Sequence, residues 1–169
     1  MAENRFEKIS VSAIVKRAEV ARTTFYAHFD SKEQLLLSLR EPIDNVFLAE
    51  LETQYSSDAF DFEALAITLF KAMYDNRAIF QLIDGTDLDL LILAQTRNLM
   101  QRAIARAKEF DDVSESEPTP YLDEPITGVL FALTCWWVRD GMKLPIEEIA
   151  KVFVSYGSVT RQMYLASPS

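Results

Sequence analysis

Glycine is scarce in this chain, with four in 169 residues. Short alternating runs bounded by glycine turns, the mark of β-hairpins, are missing with it. The chain therefore reads as all-α. Cysteine is nearly absent: Cys135 alone forbids an internal disulfide, fits a reducing compartment and sits in an apolar run as a small core residue. His28 is the one histidine. With so few ligating and nucleophilic groups, and no P-loop or nucleophile-elbow spacing, metal, cofactor and hydrolytic chemistry have nothing to build on. Glu147 and Glu148 are adjacent on a helix and diverge, so they make no acid–base pair. No enzyme and no cofactor is expected. A signal-peptide pattern and an apolar span of about 18 residues are also lacking, which predicts a cytoplasmic chain with no membrane partner.

Basic charge is short overall, with a net charge of −9, but it is unevenly spread. Residues 1–40 hold seven basic against five acidic side chains, and residues 41–169 hold ten against twenty-one. Contact with nucleic acid therefore belongs to the first segment, and the acidic remainder discourages non-specific adhesion to DNA.

What is present is concentrated between Ile9 and Leu36. Val11, Ile14, Val15 and Ala18 repeat at helical spacing, with Ser10 as N-cap. Val20 falls where a helix-turn-helix needs a buried apolar residue between its helices. A second helix over Arg22 to Phe29 carries Phe25 and Phe29 four residues apart, both facing inward. Arg22, Thr23, Thr24, Tyr26, Ala27 and His28 are left on its outer arc. Such a helix can enter the major groove with its N-terminal residues against base edges. Arg22 suits a guanine edge or a phosphate, and Thr23 and Thr24 suit a thymine methyl or a phosphate. Tyr26 and His28 suit phosphate or sugar, Lys32 adds charge beside the backbone, and Ser10 and Ser12 can donate to phosphate.

The run Ser10-Val-Ser-Ala-Ile-Val-Lys-Arg-Ala18, followed by Val20, Arg22, Thr24-Phe-Tyr26, His28-Phe29, Ser31-Lys-Glu33 and Leu35-Leu36, resembles the tetracycline-repressor-like (TetR/AcrR) family. A looser likeness in Tyr74-Asp-Asn-Arg77 and in Trp137 to Ile149 extends it along the body. The resemblance implies DNA contacts at the positions of Arg22, Thr24, Tyr26, His28 and Lys32. It also implies a helix-turn-helix head on a helical ligand-binding and dimerisation bundle. Boundaries of 1–40 and 41–169 follow. There are three departures. Glu19 replaces the usual turn glycine, Ala21 replaces a serine or threonine cap, and only MAENR precedes Phe6 where the family has a further helix. Without that helix, Ile14, Val15 and Phe25 are expected to lose cover.

Beyond the head, Ser31 caps a helix through Leu39, Pro42 suits a first turn, and Ile43, Val46, Phe47 and Leu51 continue an apolar stripe. Helices are expected over Phe60 to Tyr74, with Leu65, Leu69, Ala72 and Met73 inward, over a short stretch through Ile83, and over Thr86 to Glu109. Asp111 to Pro120 reads as an exposed connection. Two last helices span Tyr121 to Arg139 and Pro145 to Leu165. The final one is apolar on two faces: Ile149, Phe153 and Gly157 make one row, and Val152, Tyr156, Val159 and Met163 another. One body satisfies one face, so a homodimer pairing the last two helices of each subunit is expected. Tyr74, Phe80, Phe131, Trp136 and Trp137 are the candidate contacts of an unknown small-molecule effector.

These expectations converge on a ligand-responsive transcription regulator, a repressor acting as a homodimer on a palindromic double-stranded DNA operator. The competing reading is a helical dimeric binding module for a small molecule or protein, with an impaired DNA head, to which Glu19, the short N-terminus and the acidic total point.

Overall fold

A computed structural model describes residues 6–56, 61–83, 88–110 and 120–166, with the side chains of 83, 107–110, 120–124 and 158–166 outside the description. Among the described residues the chain is all-α and forms nine helices: α1 Val11–Arg17, α2 Arg22–His28, α3 Lys32–Ser38, α4 Glu41–Tyr55, α5 Phe62–Asp75, α6 Arg77–Ile83, α7 Asp89–Phe110, α8 Pro120–Arg139 and α9 Ile146–Ala166. Most of the expected exposed connection after α7 lies outside the described residues.

The helix starts follow local chemistry. Ser10 Oγ accepts from the Ala13 N–H at 3.1 Å and Ser31 Oγ from the Gln34 N–H at 3.2 Å. Asp61 caps α5 by accepting from the N–H groups of Glu63 and Ala64 at 2.9 and 3.0 Å. Ala21, with no side-chain acceptor, leaves the start of α2 without this bond.

Two helices end in the same way. At the end of α8, Gly141 takes φ +74°, its N–H reaches the Val138 carbonyl, and the Met142 N–H reaches that of Trp137. At the end of α1 the same pair of bonds runs from Glu19 to Lys16 and from Val20 to Val15. Both are Schellman turns, which need one residue in the left-handed region. Glycine fills that position in the first, where Met142 after it is also left-handed at φ 55°, and Glu19 fills it at φ 54° in the second, a conformation costing a non-glycine residue roughly 1–2 kcal/mol. Val20 is the residue after it and is 43% exposed. The turn directs its N–H to the helix and leaves its side chain exposed, against the expectation of burial.

The body is built around α5. Leu65, Ala66, Leu69, Phe70, Ala72 and Met73 are all buried there, against α4 on one side and α9 on the other. Phe70 meets Trp137 edge-on at 5.7 Å between centroids and Phe153 at 5.9 Å. Trp137 is fully buried, and its indole N–H donates to the Leu144 carbonyl at 2.9 Å, so its polar atom is satisfied inside the core. The basic residues late in α7 tie it to α4: Arg102 donates to Asn45 Oδ1 at 3.0 Å, and Arg106 pairs with Glu52.

A second, smaller apolar cluster of Phe6, Leu36, Leu88 and Ile92 joins the segment before α1 and helix α3 to the start of α7. In the head, Val15 and Phe25 are buried and Ile14 is half-buried, so the expected loss of cover does not occur at the first two.

Candidate DNA-binding surface

The outer arc of α2 is formed as its periodicity requires. Phe25 is 5% exposed and Phe29 half-buried, with their rings 5.7 Å apart. Arg22, Thr23, Thr24, Tyr26, Ala27 and His28 are exposed. Tyr26 stands edge-on to Phe25 at 5.3 Å, which fixes its ring while leaving the residue 47% exposed. The Arg22 guanidinium lies over that ring at 5.6 Å, and Nη2 donates to the Tyr26 hydroxyl at 3.5 Å. Arg22 is thus partly pre-oriented by a neighbour one turn away, which lowers the entropy lost when it grips an acceptor.

At the start of α1, Ser10 and Ser12 are exposed. Ser10 Oγ is already an acceptor in its own cap, and its hydroxyl hydrogen remains a donor. Lys32 has a different setting. Its ammonium donates to the carbonyls of Phe6, Glu7 and Ile9 at 2.9, 3.1 and 2.9 Å, and sits 4.6 Å from the Phe6 ring centroid. An ammonium has three hydrogens, and three carbonyls use them. Lys32 is therefore a staple inside the head, and a direct phosphate hydrogen bond would have to displace one of these.

The aromatic set expected to take an effector does not converge. Trp137 belongs to the core, Trp136 is 50% exposed, Phe131 packs against the Phe6 cluster, and Tyr74 lies at the surface 6.1 Å from Trp137. Phe80 lines a recess together with Asp89, Ile92, Thr134, Cys135, Val138 and Arg139, and none of the other four lines that recess. The reason is geometric: adjacent Trp136 and Trp137 lie about 100° apart on a helix, so one faces inward and the other outward.

The expected dimer row divides similarly. Ile149 and Phe153 are taken by the subunit's own core and are not free for a partner. Gly157 also serves the subunit itself, since a Cβ there would lie 2.7 Å from Phe62 Cε1. Val152 and Tyr156 face out, and the side chains of Val159 and Met163 lie outside the described residues.

Arg40 belongs to none of the motifs expected from the sequence. It is buried at the turn between α3 and α4, beside Asp44 at 3.8 Å. Burial depresses the pKa of Arg40, which Asp44 partly offsets, and burial raises that of Asp44 against the pull of Arg40 and Arg102. The available signal was an Arg–Asp pair four residues apart inside the apolar series Leu36, Leu39 and Ile43.

The family model for bacterial regulatory proteins of the tetR family matches residues 1–39, and that for a transcriptional regulator C-terminal region matches residues 61–156. The fatty acid metabolism regulator protein of Bacillus subtilis (strain 168) is 34% identical over 162 residues, covering 89% of this chain and 84% of that protein. The HTH-type dhaKLM operon transcriptional activator DhaS of Lactococcus lactis subsp. lactis (strain IL1403) is 31% identical over 119 residues. That match covers 69% of this chain, which spans 58% of the length of DhaS. No solved structure matches the chain. Among the described residues, no helix is long and apolar enough to cross a membrane.

Proposed function

The chain belongs to the tetR family of bacterial regulatory proteins, DNA-binding transcription regulators rather than enzymes, and from that premise we propose a ligand-responsive repressor that acts as a homodimer on a palindromic operator. Residues 1–40 would form the reading head and residues 41–169 the part that dimerises and takes the effector. The observation that carries the reading is the outward edge of α2, with Phe25 anchored beneath it.

In this reading α2 enters the major groove. Arg22, held over Tyr26, reaches a guanine edge, and Thr23 and Thr24 sit beside it at the N-terminal end. Tyr26, His28, Ser10 and Ser12 contact phosphate or sugar and set the register. Lys32 acts mainly by fixing the head. A two-fold dimer presents two such edges, so the operator repeats its half-site with inverted symmetry. Support for the dimer comes from the apolar side chains that α8 and α9 leave in water: Trp136, Val152 and Tyr156. Repression is the simplest action of a protein that occupies DNA, because occupancy itself obstructs transcription.

The second reading, a dimeric small-molecule or protein binding module with a weakened head, is favoured by two observations. Glu19 places a carboxylate and a strained backbone at the turn before α2, and Lys32 is committed to the chain's own carbonyls.

Selection from a pool of random-sequence duplexes separates the two. The regulator reading expects an enriched inverted repeat, bound with an affinity that falls steeply as salt rises. If no sequence is enriched even at low salt, the binding-module reading prevails. Placing the enriched site ahead of a reporter gene then fixes the sign: lower expression supports repression, and higher expression would give this chain the sign that the name of DhaS carries.

A further inference from the structure

Two side chains cross the seam between head and body in opposite directions. Gln95 of α7 donates Nε2 to the Leu37 carbonyl of α3 at 3.3 Å. Arg40, at the turn from α3 to α4, donates Nη1 to the Ile92 carbonyl of α7 at 3.5 Å. Arg40 is 3% exposed, and its guanidinium also lies over the Phe80 ring of α6 at 5.8 Å. One cation thus touches α4, α6 and α7 where the head ends.

It is held loosely for a buried charge. The bond to Ile92 is at the long limit of hydrogen-bond geometry, and the same carbonyl also accepts from Thr96 Oγ1 at 2.9 Å. The Asp44 carboxylate stands at 3.8 Å, and Arg40 Nε has no protein partner. Burying a guanidinium on such terms contributes little to stability, and replacing Arg40 and Asp44 together by apolar side chains of similar volume would do as well or better. A directional bond contributes something else, because it forms in one arrangement of head and body and is lost in another. Phe80 and Ile92 are also two of the residues lining the recess with Cys135 and Val138. Movement of that wall shifts both residues that Arg40 touches.

We propose that Arg40 is the positioning residue that fixes the DNA-binding head on the body through the Ile92 carbonyl, and that changes in the body reach the head by making or breaking this link. The first half stands on the geometry alone, and the second rests on the regulator reading.

Amide hydrogen exchange on the full chain tests it without DNA. Arg40→Met keeps the side chain's length and removes the planar donor. The amides of α1 and α2 should then exchange about tenfold faster, while those of α5 and α9 stay within about twofold of wild type. Gln95→Leu, which removes the reciprocal bond, should give a smaller change of the same sign. A purely structural role would speed α5 and α9 together with the head, and that result, like an unchanged head, overturns the proposal. Should Arg40→Met fail to fold, Arg40→Lys keeps the charge without the fork and is held to the same pattern at smaller amplitude. On a duplex selected by the wild-type chain from a random pool, Arg40→Met should weaken binding about tenfold. Should the wild type select no duplex, the regulator reading fails, while the exchange pattern still decides the role of Arg40.

Discussion

Lys32 Nζ lies 2.9 Å from the Phe6 carbonyl oxygen and the same distance from that of Ile9, so one ammonium gathers the chain before α1 onto the start of α3. A hydrogen bond to a charged group contributes about 1.5–3 kcal/mol when partly sheltered from water. Lys32→Gln should therefore destabilise the protein by roughly 1–3 kcal/mol, read in a urea melt. The salt dependence of DNA binding should keep its slope, since a lost phosphate contact would lower it by about one. A shallower slope with unchanged stability would return Lys32 to the phosphate-contacting set.

Glu19 occupies the left-handed position that glycine fills at the end of α8. Glu19→Gly relieves that strain but frees the unfolded chain, so the net gain expected is about 0.5–1 kcal/mol. It also removes a carboxylate next to the helix that would meet phosphate. Affinity for a selected duplex should rise, most clearly at low salt. Calorimetry and a binding titration check both halves, and a fall in the melting temperature would show that the Glu19 side chain has a stabilising role.

Gly157 and Tyr156 are adjacent in sequence but predict different defects. Gly157→Ala puts a methyl group against the Phe62 ring and should cost about 1–3 kcal/mol of fold stability through overpacking. Tyr156→Glu places a charge on an exposed side chain and should leave the melting temperature of the subunit nearly unchanged while splitting the homodimer proposed above. Analytical ultracentrifugation beside circular dichroism distinguishes them. Tyr156→Glu remaining a dimer at micromolar concentration would move the interface elsewhere.

Asp44 has a pKa raised above its ordinary 3.8, chiefly by burial. A folded state that holds its proton more tightly than the unfolded chain is favoured by acid at that group, and the contribution is lost as pH rises through the folded pKa. Compared with Asp44→Asn, the wild type should lose relative stability as pH climbs above about 4, and the difference should level off once pH has passed the raised pKa of the folded state. Denaturant melts of both proteins across that window check the slope. A difference that grows in favour of the wild type with rising pH would mean that the Arg40 charge outweighs burial.

The two Schellman turns illustrate how far local sequence reaches. Gly141 announces its turn by residue type, whereas Glu19 does not, and only the positive φ and the shared pair of hydrogen bonds reveal that both ends close by the same motif. Helix starts at Ser10 and Ser31, the inward row of α5 and the exposed arc of α2 were legible for a related reason: each is fixed by residues within a turn or two.

The amino-acid order by itself determined the helices, the outward polar edge from Arg22 to His28 and the family to which they belong, because capping and periodicity act over a few residues. Tertiary structure decided which of two apolar faces is spent. It gave Ile149, Phe153 and Trp137 to the core, left Tyr156 and Trp136 in water, and turned Lys32 and Arg40 toward backbone carbonyls. Those outcomes depend on which distant helix arrives beside each side chain, and no local pattern encodes that arrival.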